Sequence, residues 1–167
     1  MPVVLTSPDT AENLDRAGGR GMRLLLDSAA TGATLSVLMC EAPQASPGPP
    51  LHVHPKSDET FIVLEGSLLL HTDGQTHTIP AGGAMFVPRG TPHTFATPAG
   101  SAARFVTIHT PGGFEQMHRE VHAAEAAVGR PFTPEAIIAI ARDHDWELVG
   151  PPLLPTGQLA QPAGGPR

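Results

Sequence analysis

Two short stretches decide the fold of this chain: LHVHPKSDETFIVLEG at residues 51–66 and GGAMFVPRGTPHTFAT at residues 82–97. Each alternates apolar and polar residues over a few positions and then breaks at Gly or Pro. This pattern is typical of short β-strands joined by tight turns. The two stretches also hold His52, His54 and His93, and imidazole is the side chain that most often binds metal ions in proteins.

The strand pattern continues on both sides of these stretches. Asp73-Gly74 is a strong hairpin signal, because Gly supplies the positive φ that a tight turn needs. Strands this short at this spacing predict a β-sandwich or β-barrel. The predicted strands are residues 22–26, 33–41, 51–54, 59–64, 67–72, 76–79, 84–87, 93–96 and 103–109.

After residue 109 the apolar spacing lengthens to three or four, which indicates helices. The first predicted helix presents one apolar face and ends at Gly129, a C-terminal Gly. Its face consists of Phe114, Met117, Val121, Ala124 and Val128. A second helix begins at Thr133-Pro134-Glu135, where an N-cap residue precedes Pro and an acidic first turn.

The end of the chain is rich in Pro and Gly. Residues 146–149 are predicted to form a last extended piece, and residues 158–167 a flexible tail. We therefore divide the chain into four parts. They are N-terminal strands that join the barrel (1–47), a core with the metal site (48–110), C-terminal helices (111–150) and a Pro/Gly-rich tail (151–167).

Composition excludes several classes of function. The chain has 167 residues, of which 40% are apolar and 16% charged, so it suits one folded domain. The formal net charge is −6 and no run of basic residues occurs, so we expect neither nucleic-acid nor membrane partners. Cys40 is the single cysteine and no signal-peptide pattern precedes it, which favours a cytoplasmic location.

Four residues are predicted to bind one metal ion. Strand alternation places His52 and His54 on one face, with Cα atoms roughly 7 Å apart. Glu59 shares its parity with Phe61 and Val63, so it faces inward on the next strand. His93 follows a Pro- and Gly-containing turn that directs its strand back into the barrel. Three imidazoles and one carboxylate suit a divalent transition metal ion, namely Fe, Mn, Ni, Co, Cu or Zn.

The same residues carry a resemblance to the cupins. The first cupin motif is matched by His52, His54, Glu59 and Gly66, and the second by Gly82, Pro88, Gly90 and His93. The resemblance implies an all-β fold, a single-domain cupin (jelly-roll) β-barrel with C-terminal α-helices, similar to small quercetinase-like bacterial cupins. Two positions depart from the motifs. Gly48 lies four rather than six residues before His52, and Thr97 replaces the closing Asn.

The remaining histidines and cations are assigned to less specific roles. We expect solvated positions for His71, His77 and His109, and of these His109 has the best case for lining the pocket. We also expect a solvated helix face for His118 and His122, although a pair four residues apart could chelate a metal ion.

Arg89 and Arg104 are expected to be surface or structural residues, with binding of an anionic substrate as the alternative. Lys56 is expected in solvent and Cys40 in the core.

Three classes of function are consistent with such a site. The first is a metal-dependent dioxygenase that acts on a small oxygen-bearing organic substrate, with Glu59 as a catalytic base as well as a ligand. The second is a metal-dependent isomerase, epimerase or lyase, and the third is a non-catalytic small-molecule-binding protein. The comparison with small cupins also implies a homodimer, formed through residues 22–41 or the C-terminal helices.

Overall fold

A computed structural model describes residues 3–17 and 19–161 of the chain. Ten β-strands and two α-helices occur in these ranges. The strands are β1 (Glu12–Asn13), β2 (Gly21–Leu26), β3 (Ser36–Ala42), β4 (Pro50–Val53), β5 (Asp58–Thr72), β6 (Gln75–Pro80), β7 (Ala84–Val87), β8 (His93–Ala96), β9 (Ala103–Thr110) and β10 (Glu147–Pro152). The helices are α1 (Glu115–Val128) and α2 (Pro134–Ala141).

The strands form an antiparallel jelly roll of two faces that share β5. The first half of β5 pairs with β7 and β9, and β3 and β2 follow beyond β9. The second half pairs with β6 and β8, and β4 and β10 follow beyond β8. The hydrogen-bonded path runs from β1 to β10 without returning to its start, so the sheet is not closed into a ring. The all-β cupin fold expected from the sequence is confirmed.

The prediction of separate strands at 59–64 and 67–72 is wrong, because β5 runs through both. Its register with β9 shifts between Val63 and Glu65, and Gly66 follows at φ +70°. A Cβ at Gly66 would lie 1.8 Å from the carbonyl oxygen of Ala102. The bulge and the glycine bend β5, so the strand passes from one face to the other without interruption.

In the described ranges, the two larger of three clusters of buried apolar side chains position the site. The larger fills the space between the two faces and includes Leu38, Phe61 and Phe105, none more than 1% exposed. The smaller joins the helices to the open end of the jelly roll and includes Met117 and Trp146. The helices therefore cover one end of the barrel, next to the predicted metal site.

Both helices have the termini that the sequence predicts. Gly129 ends α1 in the left-handed conformation, and the Thr133 hydroxyl accepts a hydrogen bond from the amide of Ala136 at the start of α2. The predicted apolar face of α1 is wrong at its last residue, since Val128 is exposed and Glu125 is buried instead. Among the described residues, no helix has the length and apolar character needed to cross a bilayer.

The prediction of a flexible tail is wrong for residues 158–161. Leu153 is fully buried and bridges to Leu159, so residues 158–161 are held against the second face. Apolar contacts with Leu69 and Ala96 explain this packing, which the abundance of Pro and Gly in this segment conceals. Residues 162–167 of the expected tail lie outside the described residues.

Candidate metal centre

Strand register brings the predicted ligands together. Antiparallel pairing of β4 with β8 places His52 opposite His93, and pairing of β5 with β9 places Glu59 opposite His109. His54 follows β4, and its carbonyl oxygen accepts a hydrogen bond from the amide of Gly90. Residues from four strands thus meet inside one end of the jelly roll.

The four predicted ligands form one compact, buried group. One potential ligand atom from each of His52, His54, Glu59 and His93 lies within 4.8 Å of the other three. The Oε2 atom of Glu59 is 2.8 Å from Nε2 of His93 and 3.5 Å from Nε2 of His54. Two ligands bound at right angles with bonds of about 2.1 Å lie about 3.0 Å apart, so this spacing suits a single small cation.

Backbone hydrogen bonds fix the orientation of all three imidazoles. Nδ1 of His52 faces the carbonyl oxygen of Pro50 at 2.7 Å, and Nδ1 of His93 faces that of Thr91 at 2.9 Å. Nδ1 of His54 faces the carbonyl oxygen of Asp145. A carbonyl oxygen can only accept, so each Nδ1 carries the proton.

A neutral ring protonated at Nδ1 presents a lone pair at Nε2. At His54 and His93 this lone pair faces the Glu59 carboxylate, which also only accepts. Two acceptors approach so closely only when a proton or a cation lies between them. The donor set and its tautomers therefore fit a divalent ion, and the carbonyl partners are those that commonly orient metal-binding histidines.

The electrostatics at Glu59 and His52 agree with this arrangement, whereas at His54 the Glu59 carboxylate outweighs burial and raises the pKa of the imidazole. Burial alone would raise the pKa of Glu59, but His109, His54 and His93 around the carboxylate hold that pKa well below its usual range. Burial, with His93 and His54 nearby, lowers the pKa of His52 well below its ordinary value. An ionised carboxylate and a neutral imidazole are the forms that bind metal ions.

His109 belongs to the site, contrary to the expectation of a solvated position. Its side chain is 1% exposed, and its Nε2 lies 3.3 Å from the Oε1 atom of Glu59, the oxygen that does not face His93. Its Nδ1 is buried without a hydrogen-bond partner in the described structure. His109 can therefore donate from Nε2 and orient the carboxylate. Strand parity with Thr107 and Phe105 was the signal that could have placed it inside.

A cavity of about 380 Å³ extends from the ligand group toward the helices. His52, His54 and Glu59 line its inner end. Most of its wall is apolar, and its larger aromatic and aliphatic side chains are those of Met22, Phe95, Phe105, Phe114, Met117, Phe132, Ile137, Ile138 and Trp146. Trp146 stacks on His52 with ring centroids 5.4 Å apart, and Phe114 packs edge-on against His54. A volume of this size is in the range of small-molecule sites.

The expected solvated helix face at His118 and His122 is wrong. His118 lines the cavity, its Nδ1 is buried without a partner in the described residues, and burial lowers its pKa to about 3. Nδ1 of His122 faces the carbonyl oxygen of Asp15 at 2.9 Å. The helix packs on the N-terminal segment as well as on the barrel, so a face that looks polar in sequence is partly buried.

Two of the expected cation roles are confirmed. Arg89 forms a two-point ion pair with Asp58, which lowers the pKa of that carboxyl to about 2, and Arg104 pairs with Glu65. Neither arginine lines the cavity beside the predicted metal ligands. Sequence reasoning instead missed two arginines that do, Arg16 and Arg20.

Other expectations for single residues are also confirmed. Lys56 and His77 are exposed, and His71 contacts Thr76 away from the cavity. Cys40 is buried in the core, where burial raises the pKa of its thiol to about 12.

The two departures from the motifs are accommodated by the loop before β4. The Thr97 hydroxyl donates to the carbonyl oxygen of Pro43 and accepts from the amide of Ser46, so Thr97 anchors this loop as an Asn could. Gly48 lies so close to β8 that a Cβ there would be 1.4 Å from the carbonyl oxygen of Phe95. Both departures therefore preserve the position of His52.

Comparison with known proteins agrees with the fold and with the two motifs. Residues 37–109 match the family model described as "Cupin domain". The structure of KdgF from Halomonas sp. superposes with a TM-score of 0.60 at 13% identity, covering 69% of this chain and 99% of that one. Residues 37–109 therefore form a cupin domain, and the similarity to KdgF is one of fold.

Two further relatives are named for an activity. Quercetin 2,3-dioxygenase of Bacillus subtilis is 30% identical over 99 residues, which are 47% of this chain and 29% of that enzyme. The polyketide cyclase RemF from Streptomyces resistomycificus is 28% identical with a TM-score of 0.54, covering 66% of this chain and 79% of that one. The chain spans less than half the length of the curated relatives it matches.

Proposed function

We propose that this protein is a metal-dependent enzyme acting on a small, largely apolar organic molecule that carries an oxygen function. The observation that carries the proposal is the buried His₃Glu group at the inner end of an apolar cavity of about 380 Å³. His52, His54, Glu59 and His93 would hold one divalent transition metal ion. The bound ion would supply a Lewis acid toward a substrate oxygen and, if redox-active, a site for dioxygen chemistry.

Residues of the chain have distinct parts in this proposal. Glu59 is the base that takes a proton from a substrate hydroxyl, because its carboxylate is held ionised at the end of the cavity. His109 donates to the other oxygen of that carboxylate and so orients it. Trp146 and the other apolar wall residues exclude water, which strengthens electrostatic interactions at the reacting atoms.

Oxygen insertion is the first reaction we propose. The similarity to a quercetin 2,3-dioxygenase supports it, as does an aromatic-lined cavity suited to a flavonol or diketone. In such a reaction both atoms of dioxygen enter the substrate, whose carbon is oxidised. The test is oxygen uptake by protein loaded separately with Fe, Mn, Ni or Co, with a panel of flavonols and diketones. Uptake no greater than that of His52→Ala with every metal would overturn the dioxygenase proposal.

An oxygen-independent reaction is the second candidate. It is favoured by the similarity to a polyketide cyclase, of which this chain covers 79%, against 29% for the dioxygenase. Glu59 would then move a proton between carbon and oxygen during isomerisation, epimerisation, elimination or ring closure. Substrate consumption under argon that requires both metal and Glu59 would support this candidate. Consumption only in air would support the dioxygenase.

A non-catalytic role and the oligomeric state are decided by simple measurements. Tight binding of an apolar ligand without turnover, in air or argon and with every metal, would indicate a binding protein. We also propose a homodimer, formed through residues 22–41 or the C-terminal helices. Light scattering near the monomer mass of 17.4 kDa would contradict the dimer.

A further inference from the structure

One charged side chain in the cavity lacks a counter-charge. Arg20 lies in the turn that leads into β2, beside Arg16, and both line the cavity with the metal ligands. The guanidinium of Arg20 donates from Nη2 to the Ser46 hydroxyl at 2.7 Å and to the carbonyl oxygen of Pro47. Both acceptors are neutral, so the positive charge of Arg20 is not compensated by either.

The other partly buried arginines of the described residues each have an acidic partner. They pair as Arg16 with Glu125, Arg23 with Asp15, Arg104 with Glu65, and Arg119 with Glu12 and Asp27. In the same ranges, no carboxylate lies within ion-pair distance of Arg20. Burial and the nearby charge of Arg16 lower the pKa of Arg20, which is the direction expected for a cation without a partner. A desolvated guanidinium is costly unless an anion accompanies it.

The position of Arg20 indicates where that anion comes from. The loop that holds its guanidinium, residues 46–50, also supplies the carbonyl oxygen that orients His52. Arg20 and His52 therefore face one cavity from the two ends of a short loop. Nε and Nη1 of Arg20 are not bonded to any described residue and have donors available for a ligand. A planar guanidinium with two free donor directions matches the two-oxygen geometry of a carboxylate, which can accept two parallel hydrogen bonds.

We propose that the cavity selects ligands that join an apolar, aromatic body to a carboxylate, and that Arg20 binds that carboxylate. The apolar body lies against Trp146 and the helices, and the carboxylate lies at the β2 side of the cavity. This inference rests on the proposed function only in that it uses the same cavity as the substrate site. It deepens that function by naming the substrate class as aromatic or polyketide-like carboxylic acids.

The test compares two probes that differ only in charge, 2-naphthoate and its neutral isostere 2-naphthamide. Trp146 is the single tryptophan of the chain and lines the cavity, so its fluorescence reports binding of either probe. We expect the metal-loaded full chain to bind naphthoate about tenfold or more tightly than naphthamide. We expect Arg20→Gln to reduce this ratio by about tenfold, mainly by weakening the binding of naphthoate.

Two control variants keep the test decisive. Arg20→Lys retains the positive charge but lacks the planar pair of guanidinium donors, so it should keep part of the preference for naphthoate. Arg142→Gln removes an exposed arginine from a position outside the cavity wall and should leave the ratio unchanged. The metal ion is present in every sample. Any preference that the ion itself has for the carboxylate probe therefore contributes equally to the affinity ratio of each variant.

The outcomes separate this inference from the proposed function. Equal affinity of the two probes for the unaltered chain, or a preference that Arg20→Gln retains, would overturn the role of Arg20. A preference lost in Arg20→Gln would support it, whether or not the protein shows turnover. Absence of turnover with every metal would count against the enzyme proposal and leave the charge selectivity standing.

Discussion

The carbonyl oxygen of Asp145 accepts a hydrogen bond from Nδ1 of His54, a residue 91 positions earlier in the chain. The carboxylate of the same Asp145 accepts hydrogen bonds from the amide of Lys56 at 2.7 Å and from the hydroxyl of Ser57 at 2.6 Å. The connection between α2 and β10 therefore fixes both the His54 imidazole and the loop that follows it. The C-terminal segment is part of the candidate metal site, although it supplies none of the four predicted ligands.

Removing the Asp145 carboxylate should weaken metal binding. Asp145→Ala breaks the two hydrogen bonds to the loop and leaves the His54 ring with a less fixed partner. Loss of a residue that holds metal-binding side chains in place through hydrogen bonds costs about 10–100-fold in metal affinity, so we expect a loss of about tenfold. Competition with a chromophoric chelator measures the affinity. The control is Asp143→Ala, which removes an exposed carboxylate from the same connection. Equal affinities of the two variants would contradict the role of Asp145.

The bend of β5 should depend on the absence of a side chain at Gly66. Gly66→Ala places a Cβ 1.8 Å from the carbonyl oxygen of Ala102, while Gly74→Ala at φ +74° places one in open space. Each substitution costs about 1–2 kcal/mol of backbone strain. Because of the clash, Gly66→Ala should lower the free energy of unfolding by at least about 2 kcal/mol more than Gly74→Ala does. A loss of this size is in the range of severe single substitutions. Urea denaturation measures both variants. A difference below about 0.5 kcal/mol would show that the backbone near Ala102 yields easily.

The sequence predicted well those features that depend on local pattern. Strand alternation located most strands within a few residues, and the caps Gly129 and Thr133 lie where the turn chemistry placed them. The four predicted ligands could be grouped because the spacing of the two motifs implies a fold that brings them together. They are His52, His54, Glu59 and His93. Their meeting in one buried group agrees with that implication.

Features that depend on packing between distant segments could not be predicted in the same way. His109 and Glu59 become neighbours only through the register of β5 with β9, which no local pattern contains. His118 looked solvated because its helix neighbours are polar, yet Phe114 and the cavity lie against it. The position of Arg20 in the cavity could not be predicted, because its environment is formed by the Pro-rich loop that holds Ser46, 26 residues later in the chain.

The same substitution should have different effects on stability at two histidines that lie one turn apart on α1. Nδ1 of His118 is buried without a partner, whereas Nδ1 of His122 bonds the Asp15 carbonyl oxygen. His118→Leu removes an unsatisfied polar atom and should leave stability unchanged or raise it slightly, while His122→Leu should cost about 1 kcal/mol. Thermal melting at pH 7.5 compares the two. A large loss of stability in His118→Leu would indicate a structural partner for that ring.

Glu115 should make folding stability depend on acidic pH. This carboxylate is fully buried and accepts hydrogen bonds from the amide and hydroxyl of Ser28 and from the amide of Gly113. Burial alone would raise its pKa, but these donors lower the pKa to about 2 from the ordinary 4.5. The unfolded chain thus binds the proton more readily than the folded one. The stabilisation is present above about pH 4.5 and is lost as the pH falls toward 2.

The variant that tests this is Glu115→Gln, which has one acceptor oxygen where the carboxylate has two. At pH 7 we expect a loss of about 3 kcal/mol, the free energy that corresponds to a lowering of the pKa from 4.5 to about 2. The difference from the unaltered protein should shrink steadily between pH 4.5 and pH 2. Protonation of the metal ligands occurs in both proteins and cancels in the comparison. Chemical denaturation at a series of pH values gives the difference, and Glu120→Gln, which alters a carboxylate 59% exposed on the same helix, is the control. A difference that stays constant from pH 7 to pH 2 would mean that Glu115 acts through shape rather than charge.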